Sequence, residues 1–438
     1  MDYQDWINQI KPEKKKRNYQ HLDDSLDLAD PKIFKEVIRV VENIKEHQFL
    51  PFIKKDDTKI RFRKSKTGEV RRERKVRPIM YASHIDAHIY SYYNFVIGKK
   101  YENRLKESGV DDSVVAYRRI KVENGKSGKS NIHFAKEVFD HIKEQDGCVV
   151  ITQDIEGFFD NLHHKILKEK ICSVCGTERL DDSFYKVLRS LTAFRYIEHS
   201  DFVSKEIKKK VRANRYAIYQ TLKGLVRENK TGKGIPQGSP ISGLFANVYL
   251  VDFDHEIRTK FPDVFYRRYS DDLVFVCKED RKNALLEFVD SLLKISMLSV
   301  NSKKSFVTYF NKKDGLSTCD RVTDGTGKEL SRNYVDYLGF EFNGRAILLR
   351  KNTIQRLKRK QVRKAMAQLL NSKSPRRRRP RKNFSGGNKS KNNYFKRSIE
   401  VIQDEGLRAQ ILKTVRDRNK AGSNVPVGNS TSQTPNLS

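Results

Sequence analysis

The chain has little cysteine: five residues in 438, an odd number with no regular spacing. That excludes a disulfide-stapled secreted scaffold and suits a reducing cytosol. Cys172-x-x-Cys175 has no second Cys or His pair at a suitable distance, since His163 and His164 are adjacent, so it is read as unliganded. There is no apolar run long enough to span a bilayer, and the N-terminal residues are polar and charged, unlike a signal peptide. The expectation is a cytoplasmic protein with no membrane partner. No internal repeat is apparent. Acidic residues are scarce, 55 against 89 Lys and Arg, which leaves a net charge of +34. Such an excess implies a polyanionic partner. Nucleic acid leads and an anionic membrane surface is the alternative. A hydrophobic content of 37% suffices for a sizeable core and two or three subdomains.

The chain is organised around Phe265 to Cys277. Two short β-type runs flank Ser270-Asp271-Asp272, the pattern of a hairpin whose turn carries adjacent carboxylates. Adjacent carboxylates repel each other, a cost that a divalent cation removes. Alone, the pair reads as a surface turn. A third carboxylate reverses that reading. Asp154 ends the β-branched run Cys148 to Gln153, and an acid at the end of a buried strand is costly unless paired or bound to metal. Between the two lies Gly234-Ile235-Pro236-Gln237-Gly238-Ser239-Pro240, followed by a helical pattern over Gly243 to Arg258.

At these residues the chain resembles the reverse transcriptases. Tyr269-Ser270-Asp271-Asp272 is similar to their Tyr-x-Asp-Asp box, Asp154 with Phe158-Phe159 to their first palm motif, and Pro-Gln-Gly-Ser-Pro to the loop beside the nucleotide. Three such motifs in order and spacing are far more specific than any one. The implied fold is α+β, a right hand with fingers, a palm of antiparallel sheet packed on helices, and a helical thumb. The boundaries expected are an N-terminal helical extension over 1–48, fingers 49–145, and palm 146–345 with an insertion near 178–232. A basic thumb over 346–420 and a disordered tail over 421–438 complete it.

Phosphoryl transfer in such a site needs neutralised charge and in-line geometry, which two Mg²⁺ ions about 4 Å apart supply, with Mn²⁺ as the substitute. Asp154 and Asp271 are expected to bridge the ions, Asp272 to contribute partially, and the carbonyl of Ile155 to complete a shell. The resemblance implies further roles. Phe159 would block a ribose 2′-hydroxyl, which selects dNTPs, while one of Phe158 and Phe159 packs in the core. Gln237, Gly238 and Ser239 would border nucleotide and template. Arg77, with Lys75 or Arg63, would clamp the triphosphate. Lys304, with Lys303 an equal candidate, would protonate pyrophosphate, and Tyr337 to Phe340 resembles the primer grip.

Further readings concern organisation and biology. Helices are expected over Pro31–Gln48, with Asp30 as cap, and over Tyr81–Arg104, Ile132–Glu144 and Leu285–Leu298, with a basic hairpin over Phe49–Ile79. From Ala346 to Lys420 there are 24 Lys and Arg against 4 Asp and Glu. Within it Arg376, Arg377, Arg378, Arg379, Arg381 and Lys382 form a run expected to bind RNA. The nearest resemblance is to the defence-associated "unknown group" of bacterial reverse transcriptases, related to the retron and group II intron enzymes. The Asn-Ala-x-x-His signature of retrons is missing, and no ribonuclease H pattern is visible. The implied activity is RNA-directed DNA synthesis from dNTPs, on a noncoding RNA and from a nucleic-acid primer or protein hydroxyl, in antiphage defence, with a homo-oligomer open. A retron or group II intron-like enzyme is the alternative. The three acids disfavour an RNA-binding scaffold, and Phe159 with the Tyr-x-Asp-Asp box disfavours an RNA-dependent RNA polymerase.

Overall fold

Asp30 shows how literally the start signals in this sequence operate. Its backbone is extended and its carboxylate accepts the N–H of Lys32, while Pro31 opens the helix where an N–H would have no partner. The computed structural model describes residues 3–10, 15–17, 19–64, 70–122, 125, 127–202, 222–313, 315–356, 359–360 and 363. The described helices are α1 (Tyr3–Gln9), α2 (Pro31–Glu42), α3 (His84–Glu107), α4 (Asn131–Glu144), α5 (Phe158–Asn161), α6 (His164–Cys175), α7 (Asp182–Thr192), α8 (His199–Phe202), α9 (Ser242–Tyr249), α10 (Val251–Lys260) and α11 (Lys282–Ile295). The strands are β1 (Phe52–Lys64), β2 (Val70–Tyr81), β3 (Cys148–Asp154), β4 (Arg195–Glu198), β5 (Arg227–Glu228), β6 (Phe265–Tyr269), β7 (Asp272–Cys277), β8 (Phe306–Lys313), β9 (Leu316–Asp324), β10 (Val335–Tyr337), β11 (Phe340–Phe342) and β12 (Ile347–Leu349). The six basic residues between Arg376 and Lys382, the tail and most of the expected thumb lie outside the described residues.

Two compact units divide the chain. The first comprises Met1–Arg118, Gln153–Leu273 and Arg281–Asn301. The second comprises Arg119–Thr152, Val274–Asp280 and the described residues from Ser302 on. In the first, β1 and β2 form the expected basic hairpin, with Asp57 opposite Arg77 and Lys59 opposite Lys75. Only the root of β1, Phe52 to Lys54, gains a second neighbour, β4, giving a sheet of order β2-β1-β4-β5. The root is apolar and buried: Ile53 packs with Ile197, Phe202 and Leu222, and Phe52 stacks on Tyr90 of α3 at 6.0 Å. Beyond that root the hairpin is a two-stranded ribbon rich in Lys and Arg.

The second unit is centred on β3, β8 and β9. Cys148 of β3 pairs with Phe310 and Thr152 with Phe306, antiparallel. Phe342 lies between Phe139 and Phe310 in a stack with centroids 5.0 and 5.8 Å apart. β10, β11 and β12 form a small antiparallel meander. Within this unit the strand segments lie in the order β7-β3-β8-β9. β3 is buried along almost its whole length, which explains its continuous rather than alternating apolar run.

Two expectations are corrected, the first being the helix over Pro31–Gln48, which ends at Glu42 with Asn43 as its C-cap. The helical pattern from Gly243 to Arg258 is two helices, α9 and α10, that part at Leu250. The carbonyl of Asn247 accepts the N–H of Leu250, three residues on, and also faces Arg268 Nη2 at 3.5 Å. The bond to Leu250 spans three residues where a continuing α-helix spans four.

Candidate active site

All three acids that the sequence singles out belong to the first unit. Asp154 is the last residue of β3 and is 7% exposed. The backbone around it is tied on two sides. The Ile155 N–H donates to the carbonyl of Asp271 at 2.9 Å. The Asn301 N–H donates to the carbonyl of Asp154 at 2.8 Å, and the Glu156 N–H to that of Ser299 at 2.9 Å. Ser270 and Asp271 form the link between β6 and β7, and Asp272 is the first residue of β7. Ser270 has φ +63°, a left-handed value that is unusual for a residue with a side chain. Asp271 and Asp272 are half-buried. The two carboxylate-bearing stretches are therefore held side by side by main-chain geometry.

A buried ionic network lies under this turn. Arg268 and Asp254 are fully buried and paired through Nε–Oδ1 at 2.8 Å and Nη2–Oδ2 at 2.5 Å. Arg268 Nη1 also donates to Asn247 Oδ1 at 3.1 Å and to the carbonyl of Ser270 at 3.4 Å. Tyr266 donates its hydroxyl proton to Asp254 at 2.7 Å. Burial opposes the charge on Arg268, but the Asp254 carboxylate outweighs it and raises the guanidinium pKa further. The network fixes the carbonyl of the strained turn residue. Sequence reasoning missed it, although the alternation was there to find: in β6 the inward positions are Tyr266 and Arg268.

Around the turn stand the residues expected to meet a nucleotide. Phe158 is buried, and Phe159 is half-exposed. Gln237 Nε2 donates to Asp160 Oδ1 at 3.2 Å. Burial raises the Asp160 carboxyl above its ordinary range, and the bond from Gln237 works the other way. Gly238 adopts φ +114°, and a Cβ there would stand 2.9 Å from the carbonyl of Met80. Only glycine meets both demands. The Met80 N–H donates to the carbonyl of Gln237 at 2.7 Å, so the loop is docked on the root of β2. A cavity of about 190 Å³ opens beside it, lined in part by Pro78, Met80, Asp160, Lys233 and Gln237. Ser239 is buried, and its hydroxyl finds no hydrogen-bond partner among the described residues.

The basic candidates are less gathered. Arg77 is exposed and Lys75 half-buried on β2, on the same strand as Met80. The Arg63 side chain lies outside the described residues. Lys304 and Lys303 are exposed on a short turn, Ser302–Lys304, in the second unit.

An α+β fold with acids at the ends of neighbouring strands and a glycine loop beside them defines a template-directed polymerase of the right-hand class. Residues 96–342 match the family described as reverse transcriptase (RNA-dependent DNA polymerase), and the chain belongs to that family. No curated protein sequence matches the chain. Among solved structures it is similar to apo telomerase from Candida tropicalis truncated from the C-terminal domain, at 14% identity and a TM-score of 0.39, over 73% of this chain and 59% of that one. It is similar also to telomerase from Candida albicans in complex with a TWJ fragment of telomeric RNA, at 13% identity and a TM-score of 0.33, over 73% and 50%. The chain thus spans a little over half the length of the first of these.

Reverse transcriptase domains depend on divalent metal. Among the described residues no three His, Cys, Asp or Glu side chains converge as a metal-holding group. Carboxylate oxygens, which Asp154, Asp271 and Asp272 offer, are donors that fit a hard divalent cation rather than zinc. Among the described residues no helix is long and apolar enough to cross a membrane.

Proposed function

We propose that the chain is an RNA-directed DNA polymerase that extends a primer hydroxyl with dNTPs on an RNA template. The observation that carries this reading is the main-chain bond from Ile155 to Asp271, which sets Asp154 beside Asp271 and Asp272. Carboxylates so placed would hold two Mg²⁺, or Mn²⁺, with the carbonyl of Ile155 as a further ligand. When bound, the metal supplies charge neutralisation and activates the primer hydroxyl. The chain's own residues do the rest. Phe159 excludes a 2′-hydroxyl, Gln237 and Gly238 seat the nucleotide against the template, and Arg77 with Lys75 holds the triphosphate. Lys304 delivers a proton to the departing pyrophosphate. In this reading residues 49–145 are fingers, 146–345 palm and 346–420 thumb, and Arg376 to Lys382 grips RNA.

The finer reading is synthesis on an associated noncoding RNA in bacterial antiphage defence, in the cytoplasm, from a nucleic-acid primer or a protein hydroxyl. It is supported by Phe62 to Arg77, Ala82 to Asp86 and Val115 to Arg118, which resemble the defence-associated and retron enzymes. The test has two parts. Purified chain should incorporate dNTPs on a primed RNA template, and lose that activity when Asp271→Ala and Asp272→Ala are combined. Sequencing the nucleic acid that copurifies should return one recurring RNA species with complementary DNA. Failure to incorporate on any primed RNA overturns the polymerase reading. A random set of copurified RNAs overturns the dedicated template.

A further inference from the structure

Tyr117 is placed where a tyrosine is hard to keep. Its φ is +58°, a left-handed value that is a true outlier for a bulky residue. It is also 59% exposed, so core packing does not explain the strain. Its neighbours enforce it. The carbonyl of Ala116 accepts from Asn247 Nδ2 at 2.8 Å. Arg118 forks onto Glu102 through Nε–Oε1 at 2.9 Å and Nη2–Oε2 at 2.7 Å, and onto the carbonyl of Val114 at 2.5 Å. Strain of this kind persists only where the surroundings over-determine it, and it clusters at functional sites.

The clamped ring meets three parts of the candidate active site. Its hydroxyl lies 3.4 Å from Ser270 Oγ, the strained residue of the Tyr-x-Asp-Asp turn. Its ring stands edge-on to Phe159, with centroids 6.3 Å apart and planes at 85°. And it lies over Gly243 so closely that a Cβ there would be 2.6 Å from two ring carbons. Gly243 is therefore small because Tyr117 is large. All four residues belong to the first unit.

We propose that Tyr117 is a positioning residue for sugar selection: its clamped ring braces Phe159 and fixes how near that ring stands to the 2′ position of an incoming nucleotide. This rests on the polymerase reading above and deepens it. Tyr117 takes no part in the chemical step. It acts through Phe159, whose half-exposed ring meets the buried Phe158 ring with centroids 5.9 Å apart and planes at 63°, so that Tyr117 adds the second of two aromatic contacts.

The experiment compares kcat and KM for one dNTP and the matching rNTP on a single primed RNA template. Tyr117→Gly removes the brace while suiting the left-handed backbone, and an unchanged urea midpoint shows that the fold is kept. An edge-on aromatic pair corresponds to a factor of roughly two to ten, and the preference for dNTP over rNTP should fall by about that much. The change should appear mainly in KM for the rNTP, with kcat for the dNTP close to wild type. Tyr117→Phe keeps the ring and should retain the preference. Gly243→Ala pushes the ring away and should lower it. Wild-type discrimination in an active Tyr117→Gly enzyme overturns the inference alone. Loss in Tyr117→Phe equal to that in Tyr117→Gly overturns ring bracing in favour of the hydroxyl bond. A wild-type chain that incorporates no nucleotide overturns the polymerase reading and this inference with it.

Discussion

Ile155 and Asp271 share a main-chain hydrogen bond of 2.9 Å, and through it the end of β3 is locked to the turn between β6 and β7. Their side chains take no part. Substitution of an acid at 154, 271 or 272 therefore removes a carboxylate without removing the main-chain scaffold that positions the others.

Combined Asp271→Ala and Asp272→Ala should lower dNTP incorporation by at least about a hundredfold, the scale typical of losing a group that stabilises transition-state charge. RNA affinity should stay near wild type, because basic residues elsewhere supply it. Asp154→Asn should behave alike. Primer-extension rates together with filter-binding constants separate the two effects, and wild-type rates in the double variant would sink the assignment.

Phe159→Val should relax sugar discrimination more than Tyr117→Gly does, since it removes the blocking ring itself. The ratio of dNTP to rNTP incorporation on one template reads this out. An unchanged ratio would return Phe159 to a packing role beside Phe158.

Arg268→Met should destabilise the fold by about 3–5 kcal/mol, because it strands the fully buried Asp254 carboxylate. Adding Asp254→Leu should recover much of the loss, since removing both charges avoids their desolvation. Denaturant midpoints for wild type, both single variants and the double variant close the cycle. Additive losses would show that the pair is not coupled.

Acid should unfold the chain through two buried imidazoles. Burial, chiefly, lowers His21 to about 4, with the nearby Asp23 partly opposing. Burial and then the charge of Arg17 lower His88 to about 3. Both folded values lie below the ordinary value near 6.5, so between these limits the unfolded chain binds more protons. Their contribution is fully present above about pH 6.5 and is lost as pH falls toward the folded values, by about 2 kcal/mol each at pH 5. Urea midpoints at pH 7.5 and 5 should differ accordingly, and His88→Gln should shrink the difference. The same pH dependence in that variant would exclude His88 as its source.

Changing the six basic residues from Arg376 to Lys382 to Ser should weaken RNA binding and flatten its salt dependence. Each lost contact to a single strand removes roughly 0.7 from the slope of log affinity against log salt. Dissociation constants at several salt concentrations measure it. Wild-type slope and affinity would make the run a linker.

Much of the site was legible because short polar motifs interrupt apolar strands. Asp154 ends a run that can only be buried, and Ser270 to Asp272 break a strand pattern at a hairpin. What escaped was cooperative. Arg268 reads in sequence as one more basic residue in a basic chain, yet the alternation of β6 turns it inward onto Asp254 of α10, fourteen residues earlier in the chain. Tyr117 reads as an aromatic in a loop. Its significance comes from a backbone angle and from Asn247 and Glu102, which no local pattern connects to it. The break at Leu250 escaped as well, since the apolar pattern continues through it and only the three-residue bond from Leu250 to the Asn247 carbonyl marks it.

The root of the basic hairpin has a mechanical consequence. β4 flanks only Phe52 to Lys54, and Met80 is bonded to Gln237, so both strands are anchored at the same level. Outward from there the ribbon is a cantilever with its fulcrum at the nucleotide loop. At about 3.3 Å per residue, Val70 stands roughly 33 Å along β2 from Met80 and Arg77 only roughly 10 Å. A rigid swing that carries Val70 through 3 Å thus moves Arg77 by about 1 Å. In such a swing Val70 travels about three times as far as Arg77, and residues near the fulcrum keep almost fixed distances to Gln237 and Gly238.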